Sequence, residues 1–373
     1  MLPGMSKALP VAVVGGGRVG LEFSRYLRSI PEARLVGIQT SSATRREEIS
    51  AQLSVPCYAR VEELLSAADK PAMVAVVNAN ADHAAATLAA LQAGCHVFCE
   101  KPMAPTLAEC QAMVDAARTS GMSLQIGFEY IHGTMTGRLR SLVQEGFFGE
   151  LTWAHVLDSR GHWASDPPST PIEKIWKLDR KAGGGIVFHC GIHQLDLLRH
   201  YLGPFERVTA YRPPVNALRF YPTDVPDNVT LILEARSGAI ANFQIFHNRA
   251  PTFYRDHRYQ PDWRRIPGHE FSISLVGTAG SCECQIYQEK LALFRFDLEQ
   301  RDTRLVRVED FSGQPADKSH HDMTGLLLAY IRSVAAGGGA IDDPAGALET
   351  MKLAFAAEKA IAAGGGTVQL ADL

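Results

Sequence analysis

Short apolar runs alternate with amphipathic stretches through the first third of the chain. Val11-Ala12-Val13-Val14 has the β-branched, unbroken character of a buried parallel strand, and residues 19–30 then place Leu21, Phe23, Tyr26, Leu27 and Ile30 at helical spacing. The same beat predicts strands over 34–39, 73–77, 96–99 and 124–128, and helices over 46–53, 61–68, 82–93 and 106–120. In the last of these helices Thr106 is the expected N-cap, Glu109 completes a capping box and Gly121 is the stop. Strands and helices alternating in this way predict a parallel sheet with right-handed crossovers, ending near Glu129.

Beyond that point the period changes. Residues 136–145 read as a helix, 152–157, 229–234, 240–246, 271–276, 282–286 and 291–296 alternate in the strand manner, and 191–202 is helical. Helices over 322–336 and 345–363 follow, with Gly337-Gly338-Gly339 between them. The fold class is therefore α/β: a doubly wound parallel sheet, then an α+β domain with a large, mostly antiparallel open sheet.

At 373 residues the chain is long for a single core, which favours two domains. A net charge of -3 and a pI near 6.5 give no general attraction for nucleic acid or an anionic membrane. No apolar run approaches the ~18 to 20 residues of a transmembrane helix. The segment before the first strand lacks the apolar core of a signal peptide. Seven scattered cysteines make no disulfide framework and fit a reducing cytoplasm. Cys282-Glu283-Cys284, and Cys190 beside His189, lack the Cys-x-x-Cys pairing of structural zinc, so no metal is expected.

Three motifs carry the chemistry. Gly15-Gly16-Gly17-Arg18-Val19-Gly20 stands between the first strand and the first helix, where a dinucleotide pyrophosphate binds. Gly15 permits the tight turn, Gly17 the approach of backbone to phosphate, and Gly20 the close packing of helix on strand. Glu100-Lys101-Pro102 closes the 96–99 strand, so Lys101 sits at a strand's carboxyl end, where such a sheet builds its ligand crevice. Downstream, Gly183-Gly184-Gly185 precedes His189 and His193, four apart and thus on one face of any α-helix covering both. Histidine changes charge near neutral pH, which suits it to proton transfer.

In their order these motifs resemble the Gfo/Idh/MocA oxidoreductases over nearly the whole chain. The resemblance implies a Rossmann dinucleotide-binding domain, 8–129, and a substrate-binding and oligomerisation domain, 130–373. It implies an NAD(P)-dependent dehydrogenase acting on a hydroxyl or keto group of a sugar, cyclitol or related polyol. The catalytic pair maps to Lys101 and His193. It also implies that the open sheet is buried against another subunit, in a homodimer or homotetramer. Two alternatives share the fold: NAD-assisted glycoside hydrolysis, and dinucleotide binding without catalysis.

Two departures from the family pattern matter. Many members have an aspartate four residues before the histidine, and here that residue is His189. A second imidazole near His193 would disfavour double protonation, so oxidation is expected to favour alkaline pH. The Thr-Pro that often follows the fourth strand is replaced by Asn78-Ala79, leaving Asn78, Asn80 and His83 as candidate cofactor contacts alongside Glu100 and Lys101.

For the cofactor, no acid follows the second strand before Glu47, so the carboxylate that would select a free ribose 2′-hydroxyl is missing. Thr40, Ser41 and Ser42 supply hydroxyls, and Arg45 or Arg46 supplies a cation for a 2′-phosphate, with Arg18 nearby. NADP is the expected cofactor, with NAD the alternative. Substrate-facing candidates are Tyr130, Arg160, Trp163, Trp176, His189, His193 and Lys101, with the arginine-rich stretch 247–265 a further one.

Overall fold

Six parallel strands, β1 (Leu9–Val14), β2 (Ala33–Gln39), β3 (Cys57–Tyr58), β4 (Met73–Val76), β5 (His96–Cys99) and β6 (Leu124–Ile126), pair in the order β3-β2-β1-β4-β5-β6. The order reverses between β1 and β4, the switch point at which such sheets bind ligands. The helices α1 (Arg18–Ser29), α2 (Ala43–Leu53), α3 (Val61–Leu65), α4 (His83–Gln92) and α5 (Leu107–Ser120) supply the crossovers. Thr106 caps α5 by accepting from the Glu109 N–H at 3.2 Å, and Gly121 ends it at a φ of 70°.

The computed structural model describes residues 8–160, 171, 175, 178–179, 185–217, 224–247, 270–314 and 318–373. It divides into a first unit running to Phe128 and including Met323–Met351, and a second made of Glu129–Asp322 and Lys352–Leu373. The sequence motifs and the family resemblance place everything after residue 129 in the second domain. Instead α8 (Met323–Ala335) packs into the core of the first unit, where Leu326, Leu327, Tyr330 and Ile331 join Val11, Leu27 and Phe98. Tyr330 is fully buried; its hydroxyl donates to the Ser123 carbonyl at 2.9 Å. Helical spacing reveals an apolar stripe but not which sheet it covers.

In the second unit α6 (Thr134–Gln144) and α7 (Ile192–Leu202) accompany a second sheet. Its strands are β7 (Leu151–Ser159), β8 (Phe205–Tyr211), β9 (Asn228–Ala235), β10 (Ile240–Phe246), β11 (Glu270–Gly277), β12 (Gly280–Gln285), β13 (Lys290–Asp297), β14 (Asp302–Asp310) and β15 (Gly366–Gln369). They run in the order β14-β13-β12-β11-β7-β10-β9-β8-β15, with β7 and β10 parallel and the other neighbours antiparallel. Alternate residues of β9 and β10 are buried, the signature of a sheet with one covered face. The sequence did not anticipate β8, β14 and β15. β14 is exposed nearly throughout, so burial imposes no period on it.

α9 (Pro344–Ala362) begins in the first unit and ends in the second. All seven cysteines are free, and no helix among the described residues is long and apolar enough to cross a membrane.

Candidate active site

At the switch point of the first unit the chain leaves β1 through Gly15, whose φ of 122° and the Val77 backbone 2.7 Å from an added Cβ admit only glycine. A Cβ on Gly20 would stand 1.8 Å from the Gly15 carbonyl oxygen, which lets α1 start tight against the turn. Gly17 differs, since a Cβ there meets nothing within 4 Å. That open backbone at the N-cap of α1, with no acidic residue in the helix's first turn, fits a pyrophosphate. Val19 packs against the core of this unit, and Arg18 pairs with Glu22 along the helix at 3.0 Å.

Around the end of β2 the Thr40 side chain lies 2.7 Å from where a Cβ on Gly16 would stand, pressing on the glycine turn. Ser42 caps α2, accepting from the Arg45 N–H at 3.3 Å. The two arginines then diverge. Arg45 donates to the Gly16 carbonyl at 3.1 Å and to Glu48 at 2.8 Å, which places its guanidinium against the phosphate turn. Arg46 donates to the Thr40 and Ser41 carbonyls at 2.9 and 2.7 Å, bracing the loop itself.

After β4, the Asn78 amide donates to the Asp82 carbonyl at 3.5 Å, and Asn80 opens a short 3-10 turn into α4. His83, 1% exposed, has Nδ1 2.8 Å from the Pro102 carbonyl oxygen. Burial pushes its pKa below the ordinary value, so it is a neutral brace for the Lys101-Pro102 turn. The Lys101-Pro102 peptide bond is cis. The buried Glu100 carboxylate accepts the Lys101 backbone N–H at 3.1 Å and lies beside Gly127, where an added Cβ would come within 3.2 Å of it. Lys101 itself is partly exposed at the carboxyl end of β5.

The second unit builds its polar centre around α7. The chain does not enter that helix as one continuous α-helix over both histidines; a π-turn, Val187–Gly191, comes first and contains His189. The α-register that placed His189 and His193 on one face therefore does not hold across the junction. Gly191, close to the Phe243 ring, starts α7, and His193 falls in its first turn, 3% exposed.

Tyr130 stacks on the His193 ring with centroids 4.0 Å apart and planes 7° from parallel. Glu129, fully buried, has Oε2 3.8 Å from His193 Nδ1 and Oε1 3.2 Å from His321 Nε2. His320 meets Tyr130 edge-on at 5.0 Å. Burial pushes the Tyr130 hydroxyl well above its ordinary pKa, with Arg160 offsetting part of the rise, so it keeps its proton. Arg160 donates from Nε and Nη2 to Asp158, at 3.0 and 2.8 Å, and from Nη1 to Cys190 Sγ at 3.4 Å, while Gln194 of α7 donates to the same carboxylate at 2.7 Å. The expected substrate contact at Arg160 is thus tied to an internal partner. Trp163, Trp176 and residues 248–265 lie outside the described residues.

The sequence places Glu129 beside Tyr130 just after the last strand of the first sheet but gives it no role, and it assigns none to Asp158, Gln194, His320 or His321. The two histidines reach Tyr130 because Lys318 and Ser319 bond to the start of α6. Met135 N–H donates to the Ser319 carbonyl at 3.0 Å, and the Thr134 hydroxyl donates to that of Lys318 at 3.3 Å. Only the adjacent pair His320-His321 in a polar stretch hinted at a role.

A family model described as "Oxidoreductase family, NAD-binding Rossmann fold" matches residues 9–128, and one for the GFO/IDH/MocA C-terminal domain matches 136–283. The chain is 32% identical over 235 residues to a 1,5-anhydro-D-fructose reductase of Ensifer adhaerens, covering 62% of this chain and 67% of that one. It is 31% identical over 201 residues to a D-glucoside 3-dehydrogenase of Escherichia coli K12, covering 53% and 55%. The chain spans about half the length of several curated relatives that it matches, from 49% to 55% of three of them. Among solved structures, the WlbA dehydrogenase of Chromobacterium violaceum is similar in fold, with a TM-score of 0.76 at 20% identity over 99% of this chain and 98% of that one.

Proposed function

Because the chain belongs to the Gfo/Idh/MocA oxidoreductase family, we propose that it transfers a hydride between NADP(H) and a secondary hydroxyl or keto group of a sugar, cyclitol or related polyol. The observation that carries this reading is that the two matched segments contain, in order, the open glycine turn with Lys101 and the buried imidazole of His193. Two relatives that bear names of sugar-directed dehydrogenase and reductase activity support the substrate class.

A bound nicotinamide supplies the carbon that accepts or donates the hydride. The chain's own residues do the rest. Gly15, Gly17 and Gly20 shape a turn that would hold the pyrophosphate, and Thr40 and Arg45, both against Gly16, would hold the ribose end, where Arg45 would pair with a 2′-phosphate. His193 takes the proton of the substrate hydroxyl, and the Lys101 ammonium stabilises the developing alkoxide; in the reducing direction the roles reverse. Glu100 and His83 hold the turn that carries Lys101. The free cysteines suit a reducing, cytoplasmic setting, and exposed Trp153, Tyr211, Leu305, Val306 and Val308 on the second sheet's strands support a homodimer or homotetramer.

The test is turnover across a panel of sugars, cyclitols and keto-sugars with NADP+ or NAD+, followed by nicotinamide absorbance. Lys101→Ala and His193→Ala are each expected to lower kcat by about 10² to 10⁴ fold. Near wild-type turnover in both variants rejects the assignment. Cofactor binding without turnover on any compound favours a non-catalytic binder. Cleavage of glycosides without net reduced cofactor favours the hydrolytic cycle.

A further inference from the structure

Resting on the reading of His193 as the base, we propose that Glu129 is its positioning carboxylate and that His321 shares that carboxylate. Glu129 is 0% exposed, with Oε2 3.8 Å from His193 Nδ1 and Oε1 3.2 Å from His321 Nε2. An ionised carboxylate taken out of water is unfavourable unless opposite charge or donors meet it. Here an imidazole nitrogen lies within 4 Å of each oxygen and forms an ion pair with it when the ring is protonated. Nothing in the local sequence foretells this, because Glu129 belongs to the Glu129–His132 turn while His193 and His321 come from α7 and the 318–322 segment.

The geometry also favours one nitrogen. Tyr130 covers one face of the His193 ring, and Glu129 stands 3.8 Å away on the Nδ1 side, which favours the tautomer that keeps the Nδ1 proton and leaves the Nε2 lone pair for substrate. As the substrate O–H bond breaks, its proton passes to Nε2, while the hydride leaves the same carbinol carbon for the nicotinamide. The imidazolium then forms beside Glu129, which offsets its charge. His189, four residues before His193, lies in the π-turn and supplies no carboxylate. Glu129 provides the carboxylate from another part of the fold. Among the described residues, other titratable groups around this centre are Tyr130, Tyr287, His320, Asp158 and Arg160. Asp158 and Arg160 form an ion pair at 2.8 Å, so their opposite charges offset each other beside Tyr130.

The experiment is histidine NMR on the full-length protein labelled with 13C at the imidazole Cε1, with NADP+ present, across pH. The His193 signal is identified by its loss in His193→Gln. Glu129→Gln is expected to lower the His193 titration midpoint by about one pH unit or more, since an opposite charge has been removed. His321→Gln is expected to raise it, because the carboxylate then serves one ring. A residue that merely filled space would not give shifts of opposite sign. Unmoved midpoints in both variants overturn the proposal. If Glu129→Gln does not fold, His321→Gln decides alone, and a midpoint that falls or stays put overturns it. A parallel turnover assay separates this from the reading beneath it. Wild-type kcat in Glu129→Gln beside an inactive His193→Ala rejects the positioning role only. Full turnover in His193→Ala rejects the base assignment itself.

Discussion

The Tyr130 ring lies flat against the His193 imidazole, 4.0 Å away between centroids and 7° from parallel. Phe271 lies tilted against the tyrosine at 6.0 Å and His320 meets it edge-on at 5.0 Å, so the stack is part of a larger aromatic group. An imidazole that must present one nitrogen to substrate gains direction from such a neighbour.

If the ring of Tyr130 is what matters, Tyr130→Phe should keep kcat within about twofold, whereas Tyr130→Leu loses a stack worth about 0.5 to 1.5 kcal/mol, up to about tenfold in kcat. The buried hydroxyl keeps its proton near neutral pH, which argues against a direct acid role. An inactive Tyr130→Phe with normal cofactor affinity would reverse that conclusion.

The glycine turn offers a sharper separation of fold from ligand. Gly17→Ala adds a methyl to open space and should leave thermal stability nearly unchanged while NADP(H) affinity falls tenfold or more, about 1.4 kcal/mol. Gly20→Ala drives a Cβ into the Gly15 carbonyl, a backbone atom, and should destabilise the protein by about 1 to 3 kcal/mol or more. Thermal melts and calorimetric titration on the two variants read both effects. Unaltered affinity in Gly17→Ala would remove this turn from the cofactor site.

Arg45 and Arg46 make opposite predictions. Arg45→Glu reverses a charge at the Gly16 carbonyl and should weaken NADP+ binding about tenfold or more, with NAD+ affected far less. Arg46→Glu removes donors to the Thr40 and Ser41 carbonyls, so it should weaken both cofactors together. Wild-type protein that binds NADH as tightly as NADPH in the same titration defeats the NADP assignment.

Acid should destabilise the fold through its buried imidazoles. Burial holds His83 below its ordinary 6.5, so below that pH the unfolded chain takes up a proton that the folded chain refuses. Stability therefore falls as pH drops beneath about 6.5, by at most about 1.4 kcal/mol per pH unit, and above it both states are neutral and the effect vanishes. His96, part-buried, shifts in the same direction. Denaturant titrations at several pH values should show a shallower slope in His83→Asn. A slope as steep as wild type would assign the acid sensitivity to other groups.

The first sheet was legible because parallel strands buried on both faces print themselves as unbroken apolar runs, as at Val11 to Val14 and Met73 to Val76. The glycine turn was legible for a steric reason: Gly15 and Gly20 each occupy a place no side chain fits. β14 was not, since its residues are exposed and obey no burial period. The polar centre was half legible. His193 announced itself beside glycines, but Glu129, His320 and His321 are joined to it by tertiary folding, and no spacing rule links position 129 to 193 or 321. The π-turn was hidden as well, because a helix widened by one residue leaves the apolar pattern of α7 intact.

During synthesis, α8 leaves the ribosome after every strand of the first sheet and most of the second unit, yet its Leu327 and Tyr330 complete the core that Leu27 and Phe98 begin. A nascent chain that has delivered all six strands of the first sheet still shows water the apolar surface that α8 will cover. Domains usually finish folding in the order they emerge, but this one waits while most of the second unit is translated. An excised fragment ending at residue 128 would inherit that unfinished surface permanently, and aggregation is its expected fate.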